Sequence, residues 1–317
     1  MSGLFILAGL VLLVAGGDAL VRGATGLAKT LGVSPLLIGL VVVGFGTSMP
    51  ELTTSVAASL SDSPEVAVGN VIGSNIANIL LILAVTALLA PVAVQPRAFR
   101  RDGAALAIAS LIAAGAVAFL PFARLTGLIL FAALIAYVVF SYIADTRTKD
   151  AAAELHAGEA GTVKPAGGPL VSSLLLLAGL AGVVGGAALL VDGATTLAGA
   201  AGVSEAVIGL TIVAIGTSLP ELAASIAAAR KGQGDLAFGN VIGSNIFNAL
   251  GILGLAAVAK PFDLAPGAFG MDLLVMLGAA AALIAFAVTG WRIDRREGAI
   301  LLLAYAAYMA WLAVGAV

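Results

Sequence analysis

The chain holds 317 residues, of which 61% are hydrophobic and 10% charged, with a net charge of −2 and a mean hydropathy of +1.15. Soluble domains carry about 25% charged residues, so a water-soluble enzyme is excluded and lipid is the solvent for most of this chain. The near-neutral charge argues against a nucleic-acid partner, and the absence of cysteine removes disulfides, thiolate metal sites and thiol catalysis.

A membrane span needs about 20 apolar residues. Read in chain order, the apolar runs predict ten spans, at about 3–24, 33–59, 66–90, 103–121, 125–144, 169–195, 203–229, 236–259, 268–290 and 297–316. The first lacks a basic leader and stays apolar past Val14, so it reads as a retained span rather than a secretion signal. The fold class expected is an all-α integral membrane protein with ten transmembrane helices in two inverted five-helix repeats. Residues 145–168 are the one long polar stretch and hold the sole histidine, His156, which reads as solvated. That stretch divides the chain into repeats 1–144 and 169–317 with a flexible linker between them.

Thirteen of the 15 Lys and Arg residues fall in odd-numbered connections, leaving only Arg124 and Lys260 in even ones. The positive-inside rule puts the odd connections and the linker in the cytoplasm and both termini outside. Asp18 lies four residues before Arg22 and reads as half of an interfacial ion pair.

The second half repeats the first at an offset of 170. Over Ile38–Leu83 against Ile208–Leu253, 26 of 46 positions are identical without a gap. Five spans per half is an odd number, so the copies point in opposite directions through the membrane. Many secondary transporters are built in this way, with the site near the midplane.

The identities inside the spans are polar. Glu51 lies in the second span and Glu221 in the seventh, where a carboxylate costs several kcal/mol and marks a functional candidate. No span core supplies a Lys or Arg partner, so the carboxylates must be protonated or neutralised by a mobile cation, and the cation site is the reading adopted. Thr47 and Ser48 sit within one turn of Glu51, and Thr217 and Ser218 within one turn of Glu221. Pro50 and Pro220 each free the carbonyl four residues earlier, those of Gly46 and Gly216. A free carbonyl at membrane depth is tolerated where it lines a cavity.

Ser74 with Asn78, and Ser244 with Asn248, add neutral oxygens at helical spacing. Asn75 and Asn245 suit interhelical hydrogen bonds equally well. The glycines at 69, 73, 239 and 243 suit close packing. The candidate metal ligands are therefore Glu51, Glu221, Thr47, Ser48, Thr217, Ser218, Ser74, Ser244, Asn78 and Asn248. Such an all-oxygen, doubly negative set favours hard cations. Ca²⁺ accepts about 6–8 oxygens in flexible geometry, and Na⁺ competes for the same donors. No catalytic residue and no cofactor is expected.

Two segments, Gly46-Thr47-Ser48-Met49-Pro50-Glu51 and Gly216-Thr217-Ser218-Leu219-Pro220-Glu221, and two more, Gly69–Asn78 and Gly239–Asn248, resemble the paired α-repeats of the sodium/calcium exchanger branch of the cation/calcium antiporter superfamily. The resemblance spans both halves. It implies that Glu51 and Glu221 ligate Ca²⁺ and Na⁺ in turn. Thr47, Ser48, Thr217 and Ser218 would add oxygens, Ser74 and Ser244 would line flanking Na⁺ sites, and Asn78 and Asn248 would complete the centre. It also implies that spans one and six slide across the other eight. A surplus of Na⁺ charge over Ca²⁺ charge in each cycle would make the exchange electrogenic. Where some relatives carry aspartate, this chain has Asn248, which argues against potassium dependence. The readings left open are a proton/Ca²⁺ antiporter of the same fold, a cation channel, and an intramembrane metal-dependent enzyme. The expected location is a prokaryotic inner membrane.

Overall fold

The computed structural model describes residues 2–147, 168–200, 214–265 and 267–315. Eight of its helices are long and apolar enough to cross a membrane, and a ninth crossing is a pair bent by 46°. In chain order, α1 is Ser2–Leu31. The bent pair follows as α2 (Pro35–Ile38), a π turn (Gly39–Val43), α3 (Gly44–Thr47) and α4 (Met49–Leu60). Next come α5 (Pro64–Ala77), a π turn (Asn78–Leu83), α6 (Ala84–Leu89), the short strand β1 (Val92–Ala93), α7 (Pro96–Phe119) and α8 (Arg124–Arg147). The second half holds α9 (Pro169–Ala200), α10 (Ala214–Thr217), α11 (Leu219–Arg230), α12 (Gly234–Ile246), a π turn (Phe247–Ile252) and α13 (Leu253–Ala259). It ends with α14 (Gly270–Gly290), β2 (Arg292–Ile293) and α15 (Arg295–Gly315). The first part of the expected span 203–229 and most of the linker, with His156, lie outside the described residues.

The helices overrun the apolar windows. The first extends seven residues past its expected end, to Leu31. The fourth begins at Pro96 rather than 103, with Pro at its first position. Proline there loses no hydrogen bond and carries helical φ already. The polar residues that hid these ends, such as Lys29 and Arg97, reach toward water from a helix that still turns. α2 is capped by Ser34, whose Oγ accepts from the amide of Leu37. Ser34 Oγ and N in turn donate to Asp145 at the end of α8, both at 2.7 Å.

Two cores form. One gathers α5 to α8 with α12 to α15, and the other lies between α1, α9, α11 and the α2 turn. α1 and α9 lie against each other along most of their length. At Gly16 an added methyl would meet the backbone nitrogen of Val183 at 2.8 Å, so only glycine permits that approach. Large apolar side chains on the outer faces, such as Leu7, Val14, Ile129, Leu177 and Leu303, are exposed, as a lipid boundary requires.

The connections pair in a regular way. β1 runs antiparallel to β2, with Val92 opposite Ile293. Phe122 bridges Phe262 in the same sense, their rings stacked at 4.7 Å. Position 262 is the repeat mate of 92 at the offset of 170, and 292 that of 122.

Candidate ion-binding site

The sequence Gly-Thr-Ser-x-Pro-Glu breaks its helix at the serine. Ser48 has φ −83° and ψ 11°, and Ser218 has φ −90° and ψ 5°. The next residue restarts the helix with proline in its first turn, where the missing N–H is harmless to the new helix. The glutamate then falls in the first turn, near the positive end of the helix dipole. The two glutamates are each 1% exposed.

The two halves complete each other's carboxylate. Ser48 Oγ donates to Glu221 Oε1 at 2.7 Å. Ser218 Oγ donates to Glu51 Oε1 at 3.3 Å. Further out, Asn70 Nδ2 donates to the carbonyl of Glu51 (3.1 Å) and to Ser55 Oγ (2.9 Å). Asn240 Nδ2 does the same for the carbonyl of Glu221 (3.2 Å) and Ser225 Oγ (2.9 Å). Asn240 Oδ1 also accepts from Thr47 Oγ1 at 3.2 Å, while that hydroxyl lies 3.0 Å from the carbonyl of Val43. Ser244 Oγ donates to the carbonyl of Gly44 at 3.3 Å.

Several buried polar atoms at this place have no hydrogen-bond partner among the described residues. They are Oε2 of Glu51, Oε2 of Glu221, and both side-chain polar atoms of Asn78 and of Asn248. Native interiors leave few such atoms, and each calls for a reason. Asn78 opens the π turn that packs on α11, the helix of Glu221. Asn248 sits in the π turn that packs on α4, the helix of Glu51. π turns of this kind recur at functional sites because one extra residue per turn re-aims a side chain. No ion pair joins either glutamate to Lys or Arg among the described residues.

Of the residues expected from sequence, Glu51, Glu221, Ser48 and Ser218 form one hydrogen-bonded cluster, with Thr47 joined to it through Asn240. Asn78 and Asn248 lie in the π turns packed on the two glutamate helices. Ser244 is wholly buried and spends its proton on the Gly44 carbonyl. Thr217 and Ser74 instead line a cavity of about 520 Å³. Asn75 takes the interhelical option, with Nδ2 donating to the carbonyl of Asn245 at 3.2 Å. Asn245 turns back onto Val241 within its own helix at 2.7 Å.

Sequence reasoning passed over Asn70 and Asn240. The signal was present in the doubled Gly-Asn dipeptides and in Ser55 and Ser225, which recur at the same offset. Asp18 pairs with Arg22 at 2.9 Å, as its spacing suggests. It also pairs with Lys231, which ties α1 to the end of α11.

Comparison with known proteins places this geometry. The profile of the sodium/calcium exchanger protein family matches residues 1–143 and 171–314. The putative antiporter CaxA of Alkalimonas amylolytica is 39% identical over 96% of both chains. The inner membrane protein YrbG of Escherichia coli is 38% identical over 98% of this chain and 95% of its own. The sodium/calcium exchanger MaX1 of Methanosarcina acetivorans is 36% identical over 96% of this chain and 97% of its own. A solved structure of the sodium-calcium exchanger NCX_Mj superposes with a TM-score of 0.83 at 32% identity, covering 98% of both chains.

Proposed function

The chain belongs to the sodium/calcium exchanger family, and on that footing we propose that it is a secondary antiporter that moves Ca²⁺ in exchange for Na⁺. Family members are membrane transporters rather than enzymes, and this chain is a multi-pass membrane protein of that kind. The observation that carries the ion reading is the enclosed pair Glu51 and Glu221. Each is bonded by the serine of the other half and keeps one carboxylate oxygen unpartnered, and the amides of Asn78 and Asn248, in the π turns packed on these helices, are unpartnered as well. Two carboxylates in such a site must be protonated or balanced by a cation, since an unpaired buried charge costs several kcal/mol. A divalent ion balances both at once. Na⁺ ions offer the same charge in separate pieces, which makes the two substrates alternatives for one set of oxygens.

In this reading Glu51 and Glu221 are shared ligands. Thr47, Ser48, Thr217 and Ser218 supply hydroxyl or carbonyl oxygen, together with the carbonyls of Gly46 and Gly216. Ser74 and Ser244 serve flanking Na⁺ positions, and Asn78 and Asn248 close the centre. With asparagine at 248 the protein charge at the site is −2, which favours independence from K⁺. A surplus of Na⁺ charge makes the cycle electrogenic.

Residues 1–144 and 169–317 act as inverted repeats joined by a cytoplasmic linker at 145–168, with both termini outside, in a prokaryotic inner membrane. The crossed serine–glutamate bonds and the matched pairing of connections support that symmetry. Alternating access by sliding of α1 and α9 is supported by their lying against each other along most of their length, in a core separate from that of α5 to α8 and α12 to α15.

The test is labelled Ca²⁺ uptake into Na⁺-loaded proteoliposomes. An outward Na⁺ gradient is compared with equal Na⁺, and proton and K⁺ gradients are imposed separately. Uptake is expected to need the Na⁺ gradient, to respond to membrane potential and to vanish in Glu51→Gln and Glu221→Gln. Uptake driven by protons instead moves the protein to the proton/Ca²⁺ type, and uptake with no counter-ion leaves a channel.

A further inference from the structure

Each half of the molecule carries an aspartate held by a tyrosine from the following helix. In the first half Tyr137 donates to Asp102 Oδ1 at 3.1 Å, and Arg101 grips both oxygens of Asp102 at 2.6 and 2.9 Å. Asp102 is wholly buried and its charge is cancelled on the spot. In the second half Tyr308 donates to Asp272 Oδ1 at 2.7 Å. Asp272 is the repeat mate of Asp102, but the mate of Arg101 is Met271. No Lys or Arg pairs with Asp272 among the described residues. Lys260, the cation in the preceding connection, is held by Asp62 at 2.7 Å.

Asp272 differs from Asp102 in a second way. It is only half-buried and lines the cavity of about 520 Å³ that also takes in Asn70, Ser74 and Thr217. Ser74 and Thr217 belong to the candidate ion site, and Asn70 holds the carbonyl of Glu51. A single uncompensated negative charge in a low-dielectric cleft concentrates cations there and raises their rate of arrival. Asp272 stands in the first turn of α14, where the helix dipole favours a carboxylate, and at that end of the span it borders the cavity.

We propose that Asp272 is a cation-recruiting site at the mouth of the ion pathway, binding Ca²⁺ or Na⁺ transiently before it passes Ser74 and Thr217 to the glutamates. This rests on the cation-transport reading, and it adds a one-sided asymmetry. The Asp102 half has a neutralised staple where the Asp272 half has a charged vestibule.

A purely structural role for Asp272, stapling α14 to α15 through Tyr308, makes different predictions, and three variants separate the two. Asp272→Asn removes the charge. Met271→Arg keeps the carboxylate and its tyrosine bond but neutralises it, as Arg101 does for Asp102. Tyr308→Phe removes the staple and keeps the charge. Initial Ca²⁺ uptake into proteoliposomes is measured against Ca²⁺ concentration under whichever gradient drives the wild type. Asp272→Asn and Met271→Arg are expected to raise KM about threefold or more with kcat little changed, while Tyr308→Phe leaves KM near the wild-type value. The wild-type KM should also rise with added choline chloride, and that of Asp272→Asn should stay flat, because salt screens only a charge that is there. An unchanged KM in Met271→Arg, or a loss confined to Tyr308→Phe, overturns the proposal.

A second readout needs no transport. Tb³⁺ stands in for Ca²⁺ and is excited through Tyr308 and Trp311, whose rings lie 6.2 Å apart. In the Glu51→Gln/Glu221→Gln background a saturable Tb³⁺ signal is expected, lost on adding Asp272→Asn. No such signal overturns the site even if exchange itself is demonstrated. A signal that persists when Na⁺ coupling fails retains the site and discards only the counter-ion.

Discussion

α5 and α12 carry the same motif, Gly-Asn-Val-Ile-Gly-Ser-Asn-Ile, in different surroundings. Every residue of α12 is buried. A methyl on Gly243 would run into the carbonyl oxygen of Leu40, and one on Gly39 would meet the carbonyl oxygen of Leu236 at 2.6 Å. The two backbones lie in direct contact. On α5, among the described residues, no atom lies within 4 Å of a methyl placed on Gly73, and one on Gly69 meets the ring of Phe269 at 3.5 Å. The segment that corresponds in the repeat to residues 35–43 is 205–213, outside the described residues. The described face of α5 borders the cavity that holds Ser74 and Asp272. Near-identical sequences therefore build matching carboxylate clusters, and among the described residues α12 is buried along its whole length while α5 borders the cavity. Local chemistry follows the motif, and access follows the packing of what lies beside it.

The largest test of that comparison sets its symmetric part against its asymmetric part. Glu51→Gln and Glu221→Gln should each abolish Ca²⁺ uptake, because either leaves a single negative charge to balance a divalent ion. A variant of one glutamate that transports normally breaks the equivalence of the halves.

Next in size is the glycine contact. Gly243→Ala should lower stability by about 1–3 kcal/mol through overpacking against Leu40. A thermal melt of the variant in detergent reads the loss, and an unchanged melt would sink the direct backbone contact between α12 and residues 36–40.

The chain has no cysteine, so a single introduced thiol reports without background. Ser74→Cys should react with a water-soluble maleimide about tenfold faster or more than Ser244→Cys, which is buried against Gly44. Equal rates would place both flanks in one environment.

The smallest effect lies in the outer amides. Asn240 makes three hydrogen bonds, to the Glu221 carbonyl, Ser225 and Thr47, whereas two are found for Asn70. Asn240→Ala should therefore destabilise more than Asn70→Ala by about 1 kcal/mol, the net worth of one bond. Urea or thermal denaturation of the two variants measures it.

Much of this was legible in the residues. Glu51 and Glu221 stand out because a carboxylate in an apolar run has no inexpensive explanation, and the doubled motif names their neighbours. Pro50 and Pro220 announce the helix breaks through their missing N–H groups. The roles of Asn70 and Asn240 were not legible. An asparagine in a span reads alike whether it ligates an ion, caps a carbonyl or bridges helices, and only its surroundings decide. Lys231 escaped notice as a partner of Asp18 because it lies more than 200 residues away along the chain. The helix ends at Leu31 and Pro96 were misjudged because the apolar signal stops before the hydrogen-bonded turns do.

By itself the sequence determined that this chain lives in lipid, that it crosses the membrane many times, that its two halves are copies, and that two carboxylates with hydroxyls and amides lie within the spans. Those follow from composition, periodicity and local repetition, which need no knowledge of where distant segments meet. Tertiary structure alone decided that Ser48 serves Glu221 and Ser218 serves Glu51, that Asn75 bridges helices, that α12 is buried while α5 borders a cavity, and that Asp272 lines that cavity. Two copies of one motif specify the same local bonds. What differs between them is set by the contacts each copy makes with elements far along the chain.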